Sequence, residues 1–322
     1  MQGEANEMRF LIGLLPAAAL VIASSSCAGP SADDAAADST PAALASGVIT
    51  VGSVSLNPTR EHEIVGPFAR YLAAQLADVG IGTGRVIVVD SLSKMVTEIE
   101  QGRVDIFIDS PFPVAFVSEN TDARVVLRRW KRGYDDYRSV VFTRADSGVE
   151  TLNDLTGKVI AFGEPFSTTG YLIPKAAMLS AGLQLDDYQD PAASVPSDRV
   201  GYVFSNDTEN TVFWVLKQKV VAGAVNENYY ESLAGNRIGE LKVLYMSERV
   251  PRNLVCVRRD LDPRVLRALE ERLLGMNQSS EGLEVLWRFE ETTKFDRILD
   301  ESGEFLTGVR ELLPYVKEDL GE

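Results

Sequence analysis

Three adjacent hydroxyl residues, Ser167-Thr168-Thr169, stand directly before Gly170 and shortly after the apolar run that ends at Phe162. That order of residue types marks the place where a strand ends and a helix begins. A helix N-terminus exposes unpaired N–H groups and about half a positive charge. Neighbouring hydroxyls add donors, so such a turn can hold a tetrahedral oxyanion without a cationic side chain. Gly170 permits close backbone approach. Pro174 has no N–H, so it deprives the Gly170 carbonyl of its helical partner and is expected to distort the first turn. Taken alone, the same tripeptide also reads as an ordinary Ser/Thr N-cap. Asp109-Ser110 ends a second apolar run, at the carboxyl end of a strand. Asp109 there either accepts a hydrogen bond from a protonated oxyanion or stabilises a turn. Ser53, Ser55 and Asn57 follow the first strand and read equally as cleft residues or as a generic loop.

Other chemistries lack their residues. The 322-residue chain has one His, His62, and two Cys, Cys27 and Cys256. That is too few soft ligands for a zinc site of the usual three or four. The sequence carries neither a Ser-His-Asp set nor a Gly-x-x-x-x-Gly-Lys phosphate loop. It reads as a non-enzyme, with no catalytic residue, no metal and no cofactor. The net charge is −15, from 32 Lys+Arg against 47 Asp+Glu. Such a balance argues against nucleic acid as a partner, since phosphate-neutralising cations are outnumbered. The basic run Arg128-Arg129-Trp130-Lys131-Arg132 lies next to Asp135 and Asp136 and reads as a solvated edge.

The elements that must position these residues alternate. Short apolar runs at 48–54, 85–89, 104–108 and 123–127 are separated by helical patterns, and the alternation starts again after about residue 145. This is the pattern of an α/β chain with mostly parallel sheets flanked by helices. Two lobes are expected: 48–145 plus 250–322, and 146–249. Connecting strands near 137–144 and 250–257 serve as hinges. In open α/β sheets a ligand sits outside the carboxyl ends of the strands, here the cleft between the lobes.

The N-terminus is different in kind. Arg9 precedes an apolar run to Ile22, and small residues continue to Cys27. The run is short of the ~20 residues a membrane-spanning helix needs, and reads as a secretory signal over 1–26. Ala23-Ser24-Ser25-Ser26-Cys27 is similar to a bacterial lipobox, with Ser24 where Leu is usual. Cys27 is therefore expected to carry lipid. Residues 27–47, dominated by Ala, Ser, Asp, Pro and Thr, form a tether that cannot build a core. Cys256, inside Leu254-Val255-Cys256-Val257, reads as a buried small hydrophobe.

The block from 137 to 174 carries a resemblance. Tyr137-Arg138-Ser139-Val140-Val141, Leu152-Asn153-Asp154-Leu155-Thr156-Gly157-Lys158 and Ala161-Phe162-Gly163-Glu164-Pro165-Phe166-Ser167-Thr168-Thr169-Gly170-Tyr171 resemble the PhnD-like family. These are phosphate/phosphite/phosphonate-binding lipoproteins of ABC transporters. Arg103-Val104-Asp105-Ile106 with Ser110-Pro111-Phe112, and Val220–Val225, extend the resemblance over about residues 48–275. It implies the two-lobed type II periplasmic-binding fold, with Ser167, Thr168 and Thr169 on the ligand. It also matches Tyr137 to the family's Tyr before the hinge strand, although a buried hinge aromatic explains that residue equally well. Thr208 stands where aminophosphonate binders often carry a His. Arg252, in Val250-Pro251-Arg252-Asn253, departs from the family pattern and is expected to repel an amine and attract an anion; the Glu227 carboxylate leaves the amine open. The implied function is a monomeric, lipid-anchored extracytoplasmic receptor for a small phosphorus oxyanion (phosphate, phosphite or short alkylphosphonate). It would work with an ABC permease and touch the membrane through its lipid. A sensor subunit for a membrane kinase is the alternative.

Overall fold

Strand β1 (Gly47–Val54) is buried without interruption from Ile49 onward, as a strand covered by helices on both faces must be. In the computed structural model, residues 46–298 and 306–316 are described. The signal, Cys27 and most of the tether lie outside them. Helix α1 (Pro58–Gln75) starts at Pro58 and runs through Pro67, which neither begins nor ends it. Asn57 caps it by accepting from the Arg60 N–H at 3.2 Å, and Pro58 occupies the first turn, where a missing N–H is harmless. Then follow β2 (Ile81–Val89), α2 (Leu92–Glu100), β3 (Ile106–Asp109), α3 (Pro111–Asn120) and β4 (Arg124–Lys131). Pro111 and Phe112 open α3, a helix buried from Pro111 through Val117.

The chain continues through β5 (Asp136–Tyr137), β6 (Ser139–Arg144), β7 (Val159–Phe162), α4 (Ile173–Ser180), β8 (Leu185–Asp187), β9 (Val200–Phe204) and α5 (Thr208–Leu216). Next come β10 (Ala222–Asn226), α6 (Glu227–Ala234), β11 (Leu241–Met246), β12 (Val250–Pro251) and β13 (Asn253–Val257). Helices α7 (Pro263–Gly275) and α8 (Ser280–Arg288), strand β14 (Thr292–Asp296) and the short α9 (Thr307–Arg310) end the described part.

Two six-stranded sheets result, ordered β14-β4-β13-β3-β1-β2 and β11-β6-β10-β7-β9-β8. β1 is parallel to β2 and β3, and β7 is parallel to β9 and β10. β13 enters the first sheet antiparallel, between β3 and β4, with β14 antiparallel at its edge, and β6 enters the second antiparallel, between β10 and β11. Ser139–Arg144, assigned above to the first lobe, thus pairs in the second. The crossing itself is the ribbon of β5 and β12, which pairs Tyr137 with Val250 and Asp136 with Pro251. One apolar cluster packs on each lobe, around Phe68 and Leu269 in the first and around Phe142 and Val215 in the second. A third joins α3 to Tyr171, Leu172 and the C-terminal Val309, Leu313 and Val316. Cys256 is in this last cluster, 1% exposed, and burial pushes its thiol up to about 12; it is an inert packing residue.

Candidate functional site

Thr168–Leu172 forms one π-helical turn that runs straight into α4. The Leu172 N–H bonds the Ser167 carbonyl at 3.0 Å, five residues back. Pro174 explains the widening, because it offers nothing to the Gly170 carbonyl. That carbonyl instead accepts from the Gly163 N–H at 3.0 Å, which ties the turn to the end of β7. Single π-turns of this kind are common at functional sites. Ser167 caps the turn, its Oγ accepting from the Gly170 N–H at 3.0 Å. A Cβ on Gly170 would stand 2.8 Å from that oxygen, so the cap requires glycine. Ser139 on β6 donates to the Thr169 carbonyl at 2.6 Å and fixes the turn against the sheet.

A cavity of about 580 Å³ opens in front of this turn. Its walls come from segments at the carboxyl ends of β1, β3, β4, β7, β9 and β10, as the strand rule anticipates. Of the residues singled out from the sequence, Ser167, Thr169, Asp109, Ser110, Tyr137 and Thr208 line it, as do Ser53, Ser55 and Asn57. Thr168 is not on this wall. It is 1% exposed, and its Oγ1 donates to Ser110 Oγ and accepts from the Phe112 N–H, each at 2.9 Å. The middle hydroxyl of the tripeptide therefore joins the two lobes at the head of α3. Tyr137 is buried beside this contact, its phenol in reach of the Thr168 and Ser110 side chains. Thr208 is the first residue of α5, whose cap is Asp207. Glu227 lies outside the cavity wall and is held by Arg138 at 2.7 Å and Arg249 at 2.8 Å.

The basic run is not a solvated edge. Arg129 is 1% exposed and bonds Thr292 Oγ1, the Phe289 carbonyl and Glu290. Lys131 pairs with Glu290 at 2.6 Å, and Arg132 pairs with Glu291 and stacks over Tyr229 of the second lobe. All three line the cavity. The signal was the two-residue period of β4, which puts Leu127, Arg129 and Lys131 on one face. Arg252, also on the wall, is 6% exposed and lies over the Tyr137 ring at 4.3 Å.

Opposing carboxylates complete the site. Burial pushes the half-buried Asp109 up to about 7; the Ser110 N–H at 2.6 Å opposes this, and Glu290 and Glu61 add to it. Glu164, from the second lobe, is also pushed up to about 7, by burial and then by Asp109, Glu61 and Asp207. Sequence reasoning passed over Glu164 because it sits in the loop between β7 and the turn, with no motif of its own. Both groups lie well above the roughly 4 of a free carboxyl. Their contribution to the closed fold is therefore fully present near pH 4 and is lost as pH rises through about 7. Asp109→Asn keeps the acceptor for the Ser110 N–H and removes the charge. It is expected to raise the melting temperature at pH 8 and to leave it nearly unchanged at pH 4. Thermal scans at the two pH values check this; an equal shift at both would contradict the assignment.

Residues 53–302 match the family model described as ABC transporter, phosphonate, periplasmic substrate-binding protein. The chain belongs to this family. Its members are the substrate-binding components of importers, not enzymes. Among solved structures, a Xanthomonas citri protein bound to chloride aligns with TM-score 0.77 and 24% identity, covering 84% of this chain and 99% of that one. The same protein bound to ATP aligns at 0.75. PhnD1 from Prochlorococcus marinus in complex with methylphosphonate aligns at 0.64, with 18% identity over 84% of this chain and 98% of that one. At these identities the likeness carries the fold, two lobes of the type II periplasmic-binding class. No helix among the described residues is long and apolar enough to cross a membrane.

Proposed function

We propose that this phosphonate-transporter family member is a lipid-anchored receptor that captures a small phosphorus oxyanion between its lobes and passes it to an ABC permease. The observation that supports this most is the π-turn at 168–172, which faces a polar inter-lobe cavity. The N–H groups of its first residues have no acceptor within the helix. The Ser167 and Thr169 side chains stand beside those groups on the cavity wall. Phosphate, phosphite and a short alkylphosphonate all present the tetrahedral oxygens such a turn accepts. The raised carboxyl of Asp109 offers a partner to a protonated ligand oxygen, which sulfate lacks at neutral pH.

Calorimetry on the described domain with phosphate, phosphite, methylphosphonate, aminoethylphosphonate and sulfate tests the reading. At least one of the first three is expected to bind, and sulfate is not. Binding of none of the phosphorus compounds would overturn it. Tightest binding of aminoethylphosphonate would instead assign Asp109 and Glu164 to an ammonium group. The anchor is tested separately. Cys27→Ala is expected to move the protein from the membrane to the soluble fraction on cell fractionation; an unchanged distribution removes the lipid from the proposal.

A further inference from the structure

Arg252 follows the crossing ribbon, its backbone N–H fixed to the Asp135 carbonyl at 2.7 Å. Its side chain is 6% exposed and lies on the cavity wall. Its guanidinium carbon lies 4.3 Å from the centre of the Tyr137 ring. Among the described residues its guanidinium donates to no carboxylate, and its Nε is fully shielded without a hydrogen-bond partner. The other cavity arginines that are buried or paired contrast with it: Arg129 has three partners and Arg132 has Glu291. A guanidinium carries five donors and stays charged at any ordinary pH. Removing it from water without a counter-ion is unfavourable, and an aromatic face offsets only part of that. The neighbouring charges do not supply the missing anion. Arg252 adds to the positive field at Arg129 and Lys131, and the carboxylate those two share is Glu290. Tyr137 places Arg252 beside the lobe contact of Thr168 and Ser110, hence next to the 167–169 turn.

Resting on the oxyanion reading above, we propose that Arg252 is the cationic anchor of the bound ligand, forking onto two of its oxygens while the remaining oxygens meet the Ser167–Thr169 turn. Planar, two-point recognition of phosphoryl oxygens is what a guanidinium does and an ammonium does not. The site thereby disfavours ligands in which one of these oxygens is esterified. The neutral turn alone does not make that distinction.

Arg252→Gln and Arg252→Lys test this with inorganic phosphate, phosphite, methylphosphonate and the monomethyl ester of methylphosphonate as probes. Affinity is read by calorimetry and ligand-free stability by thermal scans. For wild type, the ester is expected to bind on the order of tenfold or more weakly than methylphosphonate, having lost one charge-assisted bond. Arg252→Gln is expected to lose on the order of a hundredfold in affinity for the best of the first three probes, two such bonds being removed. Its ligand-free melting temperature should equal or exceed that of wild type, because an uncompensated buried charge has gone. Arg252→Lys should recover part of the affinity and lose the preference over the ester. A structural arginine behaves oppositely: Gln lowers the ligand-free melting temperature and Lys restores it. That pattern, or unchanged affinity in Arg252→Gln while wild type binds, overturns the anchor and leaves the oxyanion reading standing. Failure of wild type to bind any of the four probes overturns both.

Discussion

Thr168→Glu is expected to weaken ligand binding by on the order of a hundredfold or more and to abolish ligand-induced closure. The hydroxyl of Thr168 is 1% exposed and makes two contacts with the opposite lobe, to Ser110 Oγ and the Phe112 N–H. Each buried partner left unsatisfied costs about 1–3 kcal/mol, and the longer side chain adds about 1–3 kcal/mol of overpacking. The new carboxylate would also lie near Asp109, whose carboxyl is already pushed up to about 7. Since about 1.4 kcal/mol is tenfold, these losses exceed two decades. Thr168→Val, nearly the same shape, loses the two hydrogen bonds alone and should fall by on the order of thirtyfold or more. Calorimetry gives the affinities. Small-angle scattering should show a smaller radius of gyration on saturation for wild type and no change for Thr168→Glu. Wild-type affinity in Thr168→Glu would mean that the lobe contact takes no part in binding.

Glu290→Gln is expected to lower stability by about 2–3 kcal/mol, below the 3–5 kcal/mol of a sealed pair because Glu290 opens onto the cavity. Burial alone would raise this carboxyl, but Lys131 and Arg129 outweigh burial and hold it far below the usual carboxylate range. Removing the charge leaves Arg129, with its side chain 2% exposed, and Lys131, at 15%, without their common counter-ion. At ~2–4 °C per kcal/mol for a domain of this size, the melting temperature should fall by about 4–12 °C. The same loss leaves more positive charge facing the cavity, so a saturating phosphorus oxyanion should raise the melting temperature of Glu290→Gln more than that of wild type. Thermal scans with and without ligand check both halves. An unchanged ligand-free melting temperature would show that the pair is solvated and energetically silent.

Much of the architecture was legible in local patterns. The apolar runs of β1, β3, β7 and β10 and the amphipathic α1 and α2 follow from periodicity alone. The distorted first turn before α4 follows from Pro174. Helix α3 was not legible, because a helix buried on every side has no polar face and so no period. The membership of β6 was hidden for another reason. Ser139–Arg144 has the same apolar content whichever sheet it joins, and pairing partners are a property of topology. Within the site, the hydroxyl turn and Asp109 were readable as types that bind oxygen-rich ligands. The role of Thr168 was not, because residues 110–112 reach it only through the closed cleft. The burial of Arg129 contradicts the rule that charged residues face water; β14 and the Glu290 turn supply the compensating partners from more than 150 residues away.

The insertion of β13 between β3 and β4 bears on the order in which the molecule is made. β3 and β4 emerge early during synthesis, yet they do not touch each other in the finished sheet; β13 separates them. The first lobe therefore stays in two incomplete halves until residue 257 has been produced, when the whole second lobe already exists. Domains ordinarily acquire structure from the N-terminus as the chain lengthens. Here the topology withholds a finished N-terminal half, so the second lobe, whose strands all lie between Ser139 and Met246, can complete its sheet first.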